Sequence, residues 1–292
     1  MKELLLNVSR WAMLAFLLAS MLEVGLSLNV KQILAPLKNV RLIILSLVGN
    51  FVAVPLLAFG IAKAVRLEAP FAIGLMLLAV MPGAPFIPKI VQLARANLPF
   101  ATALMVLLMV GTVFDLPILL SQLLKVKVDV GQLEKSLLLS MLLPLFIGLA
   151  LHSMWSPPGW VRRSLTLVAN ASGVLVIVLI LALNFQSVVH VFGTGAIFAA
   201  IVFIGLSVLT GLLLGGHDRE IRHALALGTG SRNIAAALLI GAQDFKDPKV
   251  NVMVTVTAIV GLFILLLTAG VFSRRAREST SSSLEPAASH PT

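Results

Sequence analysis

The sequence has no cysteine and no tyrosine, and only 12% of its 292 residues are charged. Without cysteine there is no disulfide, thiolate metal site or cysteine nucleophile. A soluble domain carries about 25% charged residues, so the deficit excludes an ordinary water-soluble enzyme. Acids are scarcer than bases, twelve against twenty-two, which gives a net charge of +10. The bases are scattered through short polar connections, a distribution that points to anionic lipid headgroups and membrane topology rather than nucleic acid. There is no HExxH motif and no closely spaced acid pair within a predicted span, and all five histidines fall at segment ends or in connections. The chain is therefore not expected to be an enzyme or to need a cofactor or metal.

What is abundant is apolar sequence: 59% of residues are hydrophobic and the mean hydropathy is +1.05. It comes in blocks of about 20 residues, long enough to cross about 30 Å of hydrocarbon as helices. Nine spans are predicted, near residues 11–29, 42–65, 71–96, 100–124, 137–154, 165–184, 197–214, 222–243 and 250–272. The expected fold class is an all-α membrane protein. Trp11, Trp155 and Trp160 fall at span ends, as interfacial aromatics do. The first apolar run contains Glu23 and reads as a retained span rather than a cleaved leader. The Ser-, Pro- and Ala-rich tail from Glu278 to Thr292 is expected to be disordered. Connection bases divide eleven to nine in favour of the side that carries the C-terminus, which predicts a multi-pass protein of the cell or inner membrane with its N-terminus outside and its C-terminus cytoplasmic.

Two spans are not clean helices. The third contains Pro82, Gly83, Pro85 and Pro88, and three prolines in seven positions remove amide donors and clash with the preceding turn. The eighth contains Gly228, Gly230, Ser231, Arg232 and Asn233, where glycine weakens the helix. Unwound backbone at that depth must face protein or water, because unpaired amides cost several kcal/mol each in lipid. Each break lies in the third span of a four-span unit. Residues 1–124 and 161–273 then form two units of opposite insertion, an inverted repeat joined by a connecting span within 125–160 and followed by the tail 274–292. Paired interrupted segments at corresponding positions point to a secondary-transporter site near the bilayer midplane.

Four ionisable residues lie inside spans: Glu23, Lys89, Asp115 and Arg232. At a helix centre each costs about 2.5 to 3.5 kcal/mol, so they must be paired, hydrated or displaced toward an interface. Glu23, near the end of its span, suits an interfacial or hydrogen-bonded role; Lys89 can snorkel; Arg232 should lie near mid-depth. Asp115 shares a helical stripe with Thr102 and Thr112 and is a counter-ion candidate for Lys89 or Arg232. Asn50 is a further mid-span polar group, and Asn170 with Ser172 and Thr255 with Thr257 are weaker pointers.

These residues resemble the bile acid:sodium symporter family over almost the whole chain. The resemblance rests on Met21-Leu-Glu-Val-Gly25-Leu-Ser-Leu-Asn29, Asn50-Phe-Val-Ala-Val-Pro55, Pro82-Gly83, and Gly230-Ser-Arg-Asn233 followed by an alanine-rich half helix. It implies inverted repeats, a core domain in which two discontinuous helices cross, and a panel domain beside it, here in a nine-span form. Sodium-coupled members of that family carry Ser-Asn after the first Pro-Gly, hydroxyl residues on the next span, and Glu with Gln four residues later at the second break. At the matching positions this sequence has Ile87 and Pro88, Ala101 and Met105, and Gly228 with Arg232; only Asn50 and Asn233 keep a polar group.

The resemblance and the charges together imply a secondary transporter of a small organic anion, bile-acid-like or another carboxylate, working by alternating access. Lys89 and Arg232 are expected to stand where sodium would bind, making transport sodium-independent. Protons are the candidate coupling ion, through Asp115 and Glu23. The alternatives are a sodium-coupled symporter and a non-transporting receptor or scaffold of the same fold.

Overall fold

The structure, a computed structural model, describes residues 2–27, 38–124, 139, 143–154, 158–183 and 191–284, and within helices the side chains of residues 2–4, 6, 113–124, 176–177, 180–181, 183, 243–244 and 279–284 lie outside the description. It is helical throughout, and among the described residues the one β-type contact is an isolated antiparallel bridge between Pro82 and Arg232. We number the helices α1 (Lys2–Ser27), α2 (Val40–Ala64), α3 (Ala69–Ala79), α4 (Ile87–Leu93), α5 (Leu98–Leu124), α6 (Leu143–Met154), α7 (Gly159–Leu183), α8 (Ala196–Leu214), α9 (Arg219–Gly230), α10 (Ile234–Asp244) and α11 (Lys249–Leu284). Four of them, Asn7–Ser27 within α1, α2, α8 and Lys249–Glu278 within α11, are long and apolar enough to cross a membrane. Each predicted span overlaps a described helix or helix pair; residues 28–29, 137–138, 140–142 and 184 of those spans lie outside the described residues.

Local chemistry sets the ends. Asn97 accepts the amide of Phe100 at 2.9 Å and starts α5; Asp218 accepts those of Glu220 and Ile221 at 2.9 and 3.0 Å and starts α9. Within α2, residues Gly49–Ala53 form a π turn in which the Val54 amide bonds the Gly49 carbonyl five residues back. Pro55 follows and has no amide to continue the regular ladder, which accounts for the bulge.

Two helix groups result. α1 packs on α6 and α7, and α2 to α5 pack with α8 to α11. The α1–α6 contact is backbone to backbone: a Cβ on Gly25 would lie 2.8 Å from the Gly148 Cα. Small residues permit such approaches between membrane helices, where van der Waals contact drives association. The groups meet chiefly where α1 touches α10 and α7 touches α11.

Three sequence expectations are revised. The helix continues to Leu284, well past Glu278, because no helix breaker occurs between Arg274 and Pro286; residues 285–292 lie outside the described residues, as does Trp155. The first helix starts at Lys2 rather than near Trp11. The second break falls after its glycines: Gly228 and Gly230 are helical, and the extended backbone begins at Ser231, with φ −86° and ψ 126°. Those glycines serve packing instead, Gly228 against Leu104 of α5 and Gly230 against Val208 and Leu265.

The crossing of two broken helices

α3 stops at Ala79 and α4 resumes at Ile87; α9 stops at Gly230 and α10 resumes at Ile234. The two interruptions meet. Pro82 bridges Arg232, and the Asn233 amide donates to the Met81 carbonyl at 2.8 Å. Unwound backbone is thereby satisfied by the other break rather than by lipid. Gly83 turns the first break with φ +85°, where a Cβ would sit 2.7 Å from the Met109 amide nitrogen. Thr112 donates to both the Leu108 and Pro82 carbonyls, at 2.8 and 3.2 Å, and ties α5 to the turn. Ser231 donates to Leu227 at 2.7 Å, and Asn233 caps α10 by accepting the Ala236 amide at 3.2 Å.

Arg232 is 3% exposed. Its Nη1 donates to the Ala79 carbonyl at 3.3 Å and its Nη2 to the Thr229 carbonyl. These oxygens end two different half helices, α3 and α9, so one guanidinium bonds the negative ends of two helix dipoles. The Phe203 ring lies 5.9 Å from the guanidinium carbon, within cation–π range. Its Nε is buried without a partner. Among the described residues no carboxylate lies within salt-bridge distance of Arg232; the side chain of Asp115 lies outside the described residues.

Asn50, at the π turn of α2, is fully buried beside the crossing. Its Nδ2 donates to the Ser46 carbonyl at 2.9 Å and to Thr229 Oγ1 at 3.2 Å, and its Oδ1 has no partner. The π turn thus aims a polar group at the second break. A cavity of about 290 Å³ opens beside Arg232, lined by Phe16 of α1, Phe86, Ile204, Thr255, Thr257 and Leu265 among others. Its walls are apolar apart from Arg232 and the threonines, and Thr257 Oγ1 is buried without a partner.

Lys89 departs from expectation. Its side chain is 55% exposed, and its amine is directed away from the crossing to Glu23 Oε2, 3.9 Å distant. The physical reason is register: Lys89 sits in α4, beyond the unwound stretch, on the face that borders α1. Glu23, 16% exposed, also accepts from Thr166 Oγ1 at 2.7 Å. The two cations expected together are therefore apart, and only Arg232 is at the crossing.

Sequence reasoning missed Thr229, Thr166 and Phe203. Thr229 stood inside the recognised break, and its hydroxyl was the available signal; the other two are brought in by tertiary packing alone.

The family model described as the sodium bile acid symporter family matches residues 14–192. Among curated proteins the chain is similar to two from Arabidopsis thaliana, named probable sodium/metabolite cotransporter BASS6, chloroplastic (26% identical, 82% of this chain and 62% of the relative) and BASS5, chloroplastic (25%, 82% and 63%). It is also similar to the rice protein named probable sodium/metabolite cotransporter BASS2, chloroplastic (24%, 82% and 58%). The chain spans about three fifths of the length of these relatives.

Proposed function

This chain belongs to the sodium bile acid symporter family, and from that premise we propose that it is a secondary transporter of a small organic anion that works by alternating access without sodium. The observation that carries the reading is the Arg232 guanidinium bonded to the carbonyl ends of both α3 and α9. In transporters with broken helices, unwound carbonyls and half-helix C-termini are the groups that coordinate a coupling cation. A covalently attached cation on those oxygens leaves them no reason to bind a dissolved one. Coulomb repulsion at a few ångströms in a low-dielectric site opposes a second positive charge strongly. The replacement role thus narrows from two residues to Arg232.

The cargo site is the cavity beside Arg232, where apolar walls hold an organic body and the unpartnered Arg232 Nε and Thr257 Oγ1 offer donors to an anionic oxygen. Gly83, Ser231 and Asn233 hold the unwound turns of the crossing beside it, and Asn50 fixes the second break against α2. Residues 1–124 and 161–273 act as inverted repeats, with α1, α6 and α7 as the panel against which the remaining core moves. The N-terminus faces outside and the C-terminus the cytoplasm. Protons are the coupling ion available to a carrier without sodium, and Glu23 and Asp115 are the carboxylates to test.

Uptake of radiolabelled carboxylates into proteoliposomes, in sodium and in choline buffer, decides the matter. Equal flux in both is expected. Strict sodium dependence would sink the replacement and leave the sodium-coupled reading, which the names of the relatives favour. Uptake driven by an imposed pH gradient, and its loss in Glu23→Gln or Asp115→Asn, tests the proton step.

A further inference from the structure

A second cavity, about 310 Å³, lies on the other side of the first break and carries more polar lining than the Arg232 cavity. Glu23 of α1 and Arg162 of α7 form one wall, and Lys89 and Gln92 of α4 with Thr102 of α5 form the other. It is thus walled by both helix groups. Among the described residues its charges do not balance: two cations face one carboxylate. Nor is that carboxylate fully committed to them. Glu23 Oε1 takes the Thr166 hydroxyl at 2.7 Å, whereas Oε2 stands 3.9 Å from Lys89, beyond hydrogen-bond length. Among the described residues neither the Lys89 ammonium nor the Arg162 guanidinium donates a hydrogen bond. Pro85 lines both this cleft and the small pocket that contains Arg232, Phe16 and Phe86, so a single proline turn separates the two spaces.

We propose that this cleft is a loading vestibule, in which Lys89 and Arg162 capture the carboxylate of the incoming cargo and Glu23 is the built-in competitor that the cargo displaces before it passes Pro85 toward Arg232. The inference rests on the transport reading above and adds an anion subsite to it. Lys89 and Arg162 supply up to eight N–H donors to an oxyanion. Glu23, held to the panel by Thr166, keeps Lys89 neutralised while the vestibule is empty. It also sets the affinity: removing the competitor tightens capture, and removing either cation weakens it.

The test uses the purified full chain in a neutral maltoside detergent, titrated with isovalerate and, as its uncharged counterpart, isoamyl alcohol, with binding read as a rise in melting temperature. Isovalerate is expected to stabilise the protein and the alcohol not. Glu23→Gln should lower the half-saturating isovalerate concentration about threefold, and Lys89→Gln and Arg162→Gln should each raise it about threefold, the scale of a partly exposed ion pair. The opposite signs are decisive, because a pair that only braces the fold is lost equally in Glu23→Gln and Lys89→Gln and would move both in one direction. Shifts of the same sign, no shift, or indifference of the wild type to isovalerate would overturn the vestibule. So would competition by added phosphatidylglycerol, which would assign the cleft to a lipid headgroup. Arg232→Gln separates this inference from the one it rests on: flux lost with isovalerate stabilisation kept supports both. Sodium-dependent wild-type flux with Glu23→Gln still tightening leaves the vestibule standing and the sodium replacement refuted.

Discussion

Each break has one cation in it or just beyond it, and the two are used in opposite ways. In the first, prolines at 82, 85 and 88 strip amide donors from the chain, and the helix that resumes carries Lys89 outward, 55% exposed, into a polar cleft. In the second the helix runs to Gly230 before three residues of non-helical backbone, and Arg232, the middle one, turns inward at 3% exposure onto the carbonyl ends of two half helices. Position relative to the unwound stretch decides the difference. A cation within the bridge is surrounded by orphan carbonyls and has somewhere to bond; a cation in the resumed helix does not, because the carbonyls around it are used by the helix itself. Planarity matters too. A guanidinium can span two carbonyls at fixed angles, whereas an ammonium is a compact, strongly hydrated charge better suited to an open cleft.

The largest effect that would break this comparison is at Arg232. Arg232→Gln removes the charge that opposes two helix-dipole ends and leaves their carbonyls buried with a weaker donor; it should cost about 3 kcal/mol and abolish flux. The sharper measurement is ionic. If the guanidinium stands in for a bound cation, sodium should raise the melting temperature of Arg232→Gln while leaving the wild type unmoved. Equal responses of the two proteins would remove the basis of the replacement.

Glycine substitution sharpens the contrast from the backbone side. Gly83 has φ +85°, and an added Cβ would meet the Met109 backbone nitrogen at 2.7 Å. Gly230 is helical, and its added Cβ would meet the side-chain ends of Val208 and Leu265 at 2.6 and 2.8 Å. Backbone cannot yield as a methyl can, and the left-handed region itself costs an alanine about 1 kcal/mol. Gly83→Ala should therefore destabilise by about 2 to 3 kcal/mol and Gly230→Ala by about 1 kcal/mol, read as thermal unfolding of purified protein. The reverse order would mean that the first break can relax and the second cannot.

How far the sequence foretold this follows from which interactions are local. Proline acts on its own turn, so the existence and centre of the first break were legible, although the helix resumes at Ile87 and takes Pro88 into its first turn. Glycine only permits a break, and the second lay three residues beyond where Gly228 suggested, at Ser231, because the glycines were needed for contact with α5, α8 and α11. Arg232 was legible as a buried cation, since an apolar run flanks it on both sides. Its partners were not, because Ala79 contributes only a backbone carbonyl, 153 residues away. Lys89 was misassigned to the crossing because spacing along the chain does not reveal which face of α4 borders α1. The family resemblance, by contrast, rested on short motifs that stand in the sequence itself, three of them within the matched residues 14–192.

A smaller effect tests how the second break is held against α2. Asn50 donates to Thr229 across 179 residues, but leaves its own Oδ1 buried and unpaired. Asn50→Ala thus loses one hydrogen bond and also removes one orphan acceptor, and the net cost should be only about 1 kcal/mol. In a double-mutant cycle with Thr229→Val the coupling should be about 0.5 to 1 kcal/mol. A coupling near zero would detach the π turn from the break it faces.

The smallest effect belongs to the first break's own cation. Lys89 and Glu23 stand 3.9 Å apart with the lysine half in solvent, and such a pair contributes about 0 to 1 kcal/mol once screening and side-chain entropy are counted. Glu23 also holds the Thr166 hydroxyl, an interaction that the amide oxygen of Glu23→Gln can still accept. Lys89→Gln and Glu23→Gln should accordingly each change unfolding free energy by under about 0.5 kcal/mol. A loss at Lys89 approaching that at Arg232 would erase the distinction between an open cation and a buried one, since a charge that stabilises so strongly cannot be one that water already satisfies.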